Sequence, residues 1–89
     1  MTAEQRLRTL TDALEAAKKI AAEKRTFFRS CLSSFNRDVQ GYDSLLRSAL
    51  AFASAADDVY ELDEQHEDAM AEVQYEEIKR EQTLDLNLK

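Results

Sequence analysis

Apolar residues recur along the first third of the chain at alternating intervals of three and four: Leu7, Leu10, Leu14, Ala17, Ala21, then Phe28, Cys31 and Phe35. That spacing lines one face of an α-helix. Ala13, Ile20, Phe27 and Leu32 widen the stripe beyond the narrow seam of a two-stranded coiled coil, and only Lys24 interrupts it. Thr2-Ala3-Glu4-Gln5 fits a capping box, so a first helix is predicted over about residues 3–37. Gly41 is suited to the left-handed conformation that ends a helix, and Asp43 or Ser44 to capping the next. The turn is therefore placed at about 38–42. A second stripe runs Leu45, Ala49, Phe52, Ala56, Val59, Met70, Val73, with Asp63 and His66 between its two blocks and Leu46, Leu50, Leu62 and Ala69 beside it. It predicts a second helix over about 43–82. From Thr83 the period changes to two, with Leu84, Leu86 and Leu88 alternating with polar residues, and residues 83–89 read as an extended tail.

Two long helices joined by a short turn are antiparallel neighbours. A turn centred near Gln40–Gly41 sets Leu7 against Val73, Leu10 against Met70, Phe28 against Phe52 or Ala53, and Glu15 level with His66. A hairpin alone leaves much of each stripe in water, and burying it needs a second layer. The fold class is thus all-α: an antiparallel two-helix hairpin that completes a four-helix bundle by dimerisation or by docking on partner helices. The expected interface is Leu7, Leu14, Ile20, Phe27, Phe28, Phe35, Leu46, Phe52 and Val59. Leu84, Leu86 and Leu88 are a candidate docking tail for a partner's groove or sheet edge.

The 89 residues allow one small domain, and one glycine with no proline leaves out the turn chemistry of β-hairpins and barrels. No apolar run reaches the length of a membrane span. Glu4 and Arg6 fall where a signal peptide would be apolar, which predicts an intracellular, cytoplasmic protein. Residues 1–40 carry eight Lys/Arg against five Asp/Glu, and residues 41–89 four against thirteen, giving +3 and −9. Such opposed halves suit helices that face each other, with Lys18, Lys19, Lys24 and Arg25 level with Asp57 to Asp68 and Asp57 the partner for Lys24. An acidic total argues against nucleic-acid binding, which draws on clustered Lys/Arg. The Lys24–Arg29 stretch combines basic and aromatic residues, but a bundle interface accounts for its phenylalanines better than base stacking does.

Candidate chemistry is sparse. A lone Cys31 flanked by Phe28 and Phe35 reads as a packed thiol, and the only histidine, His66, is far from it in an antiparallel pair. Asp63 and His66 are three apart, the spacing by which helical bundles present a carboxylate and an imidazole to iron or manganese. Asp63-Glu64-Gln65-His66, followed by Ala69, Met70 and a charged helix to about Arg80, resembles the encapsulated ferritins, short hairpins that build a di-iron centre across a dimer. The resemblance implies an oxidase whose metal would rest on Asp63 and His66, with Glu15 offered by the first helix. Asp63 departs from that family's glutamate and reaches one methylene less far. Leu84-Asp85-Leu86-Asn87-Leu88 resembles the Leu-x-Leu-x-Leu repression motif of plant regulators. Gln40-Gly41 with Tyr60-x-x-x-Glu64 resembles the small secreted hairpins marked by Trp-x-Gly, although this chain has no tryptophan.

The function expected is non-enzymatic: a helical protein–protein interaction module, a small subunit, adaptor or chaperone of a larger assembly. It needs no cofactor and no metal, and its partners are proteins, as a homo-oligomer or a hetero-complex. Two alternatives stand beside it. One is the di-metal oxidase on Glu15, Asp63 and His66. The other is an acidic inhibitor in which Asp57, Asp58, Glu61 and Glu64 imitate nucleic-acid charge.

Overall fold

A computed structural model describes the backbone of residues 1–88 and the side chains of residues 1–83. It is all-α, with α1 at Ala3–Ser33 and α2 at Val39–Leu88 packed antiparallel as an extended hairpin 77 Å long. Helix α1 starts where its capping box places it. The Thr2 hydroxyl accepts from the Gln5 amide at 3.1 Å, and the Gln5 side chain accepts from the Thr2 amide at 3.0 Å. Two of the four amides that a helix start leaves orphaned are thereby satisfied.

The turn falls earlier than the sequence pattern suggests. Helix α1 ends at Ser33, not near residue 37, because Ser34 donates both its amide and its hydroxyl to the Ser30 carbonyl, at 3.1 and 2.9 Å. Serines compete for backbone groups in this way and favour helix ends. Helix α2 then begins at Val39, not residue 43, and the residue that caps it is Asp38, not Asp43 or Ser44. The Asp38 Oδ1 accepts from the Gly41 amide at 2.6 Å, and the Asp38 carbonyl accepts from Tyr42 at 3.1 Å. Gly41 therefore lies inside the first turn of α2 with a negative φ and takes no left-handed conformation. Its missing side chain serves a close approach: a Cβ there would collide with the Asn36 carbonyl.

The earlier turn also sets the register. Phe28 stacks on Phe52 with centroids 6.3 Å apart, as the sequence suggests, and Phe35 meets Tyr42 edge-on at 5.0 Å. Towards the open end, Arg6 faces Glu72 and Thr11 faces His66. Thr11, one turn before Glu15, is thus the residue level with the histidine, and Met70 stays largely outside the seam at 41% exposure.

The seam is thin. Ala3, Leu14, Ala55 and Ala69 are its buried apolar residues, with Ser48 buried among them, and no large side chain is fully buried among the described residues. Small residues let the helices approach, but they remove little apolar area from water. Ser48 satisfies its hydroxyl on the Leu45 carbonyl at 2.8 Å, so its burial leaves no polar atom without a partner.

Helix α2 outruns α1. With Arg6 facing Glu72, the start of α1 falls level with about residue 75, and α2 continues some 20 Å beyond it on a rise of ~1.5 Å per residue. It is helical through Leu88, where the alternating leucines suggest an extended tail. Without glycine or proline to stop it, each added residue gains a backbone bond, and leucine is a good helix former. The side chains of Leu84, Leu86 and Leu88 lie outside the described residues, so their docking role is not addressed by the fold.

The turn geometry yields a test by thermal denaturation. Gly41→Ala should lower the melting temperature by about 5–15 °C, despite alanine's better helix propensity, because its Cβ meets backbone. Asp38→Ala should cost ~1 kcal/mol through loss of the cap. Unchanged melting in both variants would show that the turn does not hold the hairpin.

Candidate interaction surface

Each helix carries more apolar rows than its one neighbour can cover. Leu7, Leu14, Ala21 and Phe28 repeat every seven residues along the α1 seam, with Phe35 in step just past its end, and Leu45, Phe52, Val59, His66 and Val73 along the α2 seam. At ~100° per residue, the row one position earlier on α1, Ala13–Ile20–Phe27, looks out to one side of the hairpin. There Ala13, Ala16, Ala17 and Ile20 form an open groove with Ala55, Asp58, Glu61, Leu62 and Gln65 of α2. The opposite side is more polar on α1, with Lys18 and Arg25 beside Ala21 and Ala22, facing Phe52, Ala56 and Val59.

The residues singled out as an interface divide between these environments. Leu14 is buried and Leu7, Phe28, Phe35, Phe52 and Val59 are half-buried, all in the seam between the chain's own helices. Ile20, Phe27 and Leu46 remain outside it, exposed by 51, 61 and 58%. Leu50 and Tyr60 are exposed large side chains on α2 that were not singled out. Their signal was present, since Leu50 follows Leu46 by one turn, but the broad stripe did not say which of its rows the hairpin would use.

The candidate metal ligands are not gathered. Glu15 and Asp63 are exposed, while His66 is half-buried in the seam with its Nε2 3.0 Å from the Thr11 hydroxyl. That hydroxyl also donates to the Leu7 carbonyl at 2.8 Å, so the histidine nitrogen completes a local polar pair. No group of three His, Cys, Asp or Glu able to hold a metal ion occurs among the described residues. The carboxylates Asp57, Asp58, Glu61 and Glu64 are all exposed on α2. The Glu64 carboxylate one turn away, first as a hydrogen-bonding partner and then through its charge, raises the Tyr60 phenol above its ordinary value.

Cross-helix charge pairing is lighter than the opposed halves suggest. Arg6 reaches Glu72 at 2.8 Å, and Arg47 pairs with Asp43 at 3.1 Å within α2. Among the described residues, Lys24 makes no ion pair with Asp57 or any other carboxylate: its spacing puts it on the seam stripe, but its side chain is exposed at the edge of the seam. Both sides of the Arg6–Glu72 pair are nearly half exposed, which limits it to ~0–1 kcal/mol. Cys31 is half-buried with a free thiol, near Phe35, Gly41 and Leu45 at the turn. No helix is long and apolar enough to cross a membrane among the described residues.

Comparison with family models, with curated proteins and with solved structures finds no match. The resemblance of Asp63 to Arg80 to the encapsulated ferritins gains no support from these comparisons, and the functional reading rests on geometry.

The Thr11–His66 pair makes a distinguishable prediction. Thr11→Val alone should destabilise the hairpin by about 1 kcal/mol by depriving the half-buried imidazole of its partner. Thr11→Val with His66→Leu should recover that loss or exceed it, since replacing both polar partners with apolar groups is close to neutral. Chemical denaturation of the unmodified chain, of Thr11→Val and His66→Leu singly, and of the double variant decides it: additive losses would mean the two side chains are not coupled.

Proposed function

We propose that the chain is a non-enzymatic protein–protein interaction module, a small helical subunit, adaptor or chaperone of a larger assembly, which docks through apolar rows left outside its seam. The observation that carries this reading is the exposure of Ile20, Phe27 and Leu46 beside a core in which no large side chain is fully buried. Contiguous apolar surface rimmed by charge marks an interaction site on a protein surface. Acidic α2 positions around the groove, Asp58 and Glu61, add a preference for partners that bring basic residues to the rim.

This reading is tested by replacing exposed apolar residues on both sides of the hairpin without touching the seam. Ile20→Lys, Phe27→Lys and Leu46→Lys together should leave the far-ultraviolet circular dichroism of the chain unchanged. The unmodified chain should either associate in light scattering or enhance the fluorescence of a hydrophobic dye, and the triple variant should lose that behaviour. An unmodified chain that is monomeric and binds no dye would overturn the proposal.

A further inference from the structure

We infer that the Ala13–Ile20–Phe27 face is covered by a second copy of the same chain, lying hairpin on hairpin with both turns at one end. This inference rests on the interaction reading and names its partner. The face is asymmetric in size. On α1 it presents large side chains, Ile20 and Phe27, one above the other two turns apart. Level with them α2 presents small ones, Ala55 in the groove and Ala51 on the row of Asp58, and towards the open end the sizes reverse, with Ala13 and Ala16 of α1 near the level of Leu62 and Gln65 of α2.

A partner must therefore set small residues against Ile20 and Phe27 and larger ones against Ala51 and Ala55. Rotating the hairpin by half a turn about an axis parallel to its helices does this, because it lays α1 of one copy over α2 of the other. That is an isologous contact, self-complementary by symmetry. The rotation leaves heights unchanged, and the Phe28–Phe52 stack fixes them. Phe27 of each copy then falls at the level of Ala51 and Ala55 of the other. Opposite placement of the turns would stack α1 on α1, basic on basic.

Charge points the same way. The half of the chain that contains α1 carries +3 and the half that contains α2 carries −9, so crossed stacking brings unlike helices together. Lys24, between Ile20 and Phe27 on the edge of this face, has no ion-pair partner among the described residues, and neither has Asp58 across the groove. In the crossed dimer Lys24 of one copy and Asp58 of the other lie within about one helical turn in height. The footprint is adequate as well. Helix α1 is 31 residues, an overlap of about 46 Å, and the hairpin is 20 Å across, which gives about 900 Å² per copy against the ~800 Å² of an ordinary stable interface.

Sedimentation equilibrium up to about 200 μM, on the full chain and on Phe27→Asp, tests the contact. Phe27 is exposed in the single hairpin, so the variant should keep its helical circular dichroism while its dimer dissociation constant rises by about 100-fold or more. Pulsed electron paramagnetic resonance on nitroxides at Arg37→Cys, in a Cys31→Ala background, tests the orientation. Turns at one end should give a separation of about 25 Å, and turns at opposite ends about 48 Å. A dimer indifferent to Phe27→Asp, or the long separation, would overturn the inference. So would an unmodified chain that stays monomeric. If that monomer binds a hydrophobic dye and Phe27→Asp abolishes the binding, the face serves a different protein and the interaction reading survives; without dye binding both fall.

Discussion

Each helix of this chain has one neighbour, and that constraint governs the rest of the structure. An antiparallel pair buries one row per helix, yet the apolar stripe on α1 is two rows wide. Three of the four buried apolar residues between the helices are alanines, so the helices come close together but enclose little. Burial of apolar area is the dominant favourable term in folding, and here much of that area is still in contact with water. Folding and association are consequently hard to separate for such a chain: whatever covers the second row also supplies part of the stability of the first.

What keeps the pair in one register is concentrated near the turn. The Asp38 cap, the glycine that lets α2 pass the Asn36 carbonyl, and the aromatic pairs Phe35–Tyr42 and Phe28–Phe52 act within a few turns of one another. The long stretch towards the open end is tied by Thr11–His66 and by one exposed ion pair. Polar groups in an apolar seam contribute little net energy but penalise slipped alignments, because a shift leaves them unpaired. His66 is better understood in that role than as a ligand.

The helical hairpin was legible in the sequence because a period of 3.6 over many turns is a strong signal, and the first capping box was legible because its two side chains are local. The site of the turn was not, since it depends on which short polar side chains take up backbone groups, Ser34 the Ser30 carbonyl and Asp38 the Gly41 amide. Moving the turn by a few residues displaced Glu15 from His66 by one helical turn while leaving Phe28 opposite Phe52. The division of the apolar residues was hidden for a related reason. Ile20 and Phe27 differ from Ala21 and Phe28 by a single position, and which row meets α2 is decided by packing, where alanine permits a closer approach than isoleucine.

The unequal lengths of the two helices have a consequence for cooperativity. Up to about residue 75, opening α2 means separating it from α1, so the hydrogen bonds there share one unfolding event. From Glu76 to Thr83 no second helix lies alongside, and the backbone is protected from exchange with solvent only by the helix–coil balance of a single strand. The molecule thus joins a cooperative segment to one whose persistence is set residue by residue, and the boundary between them is drawn by where α1 begins.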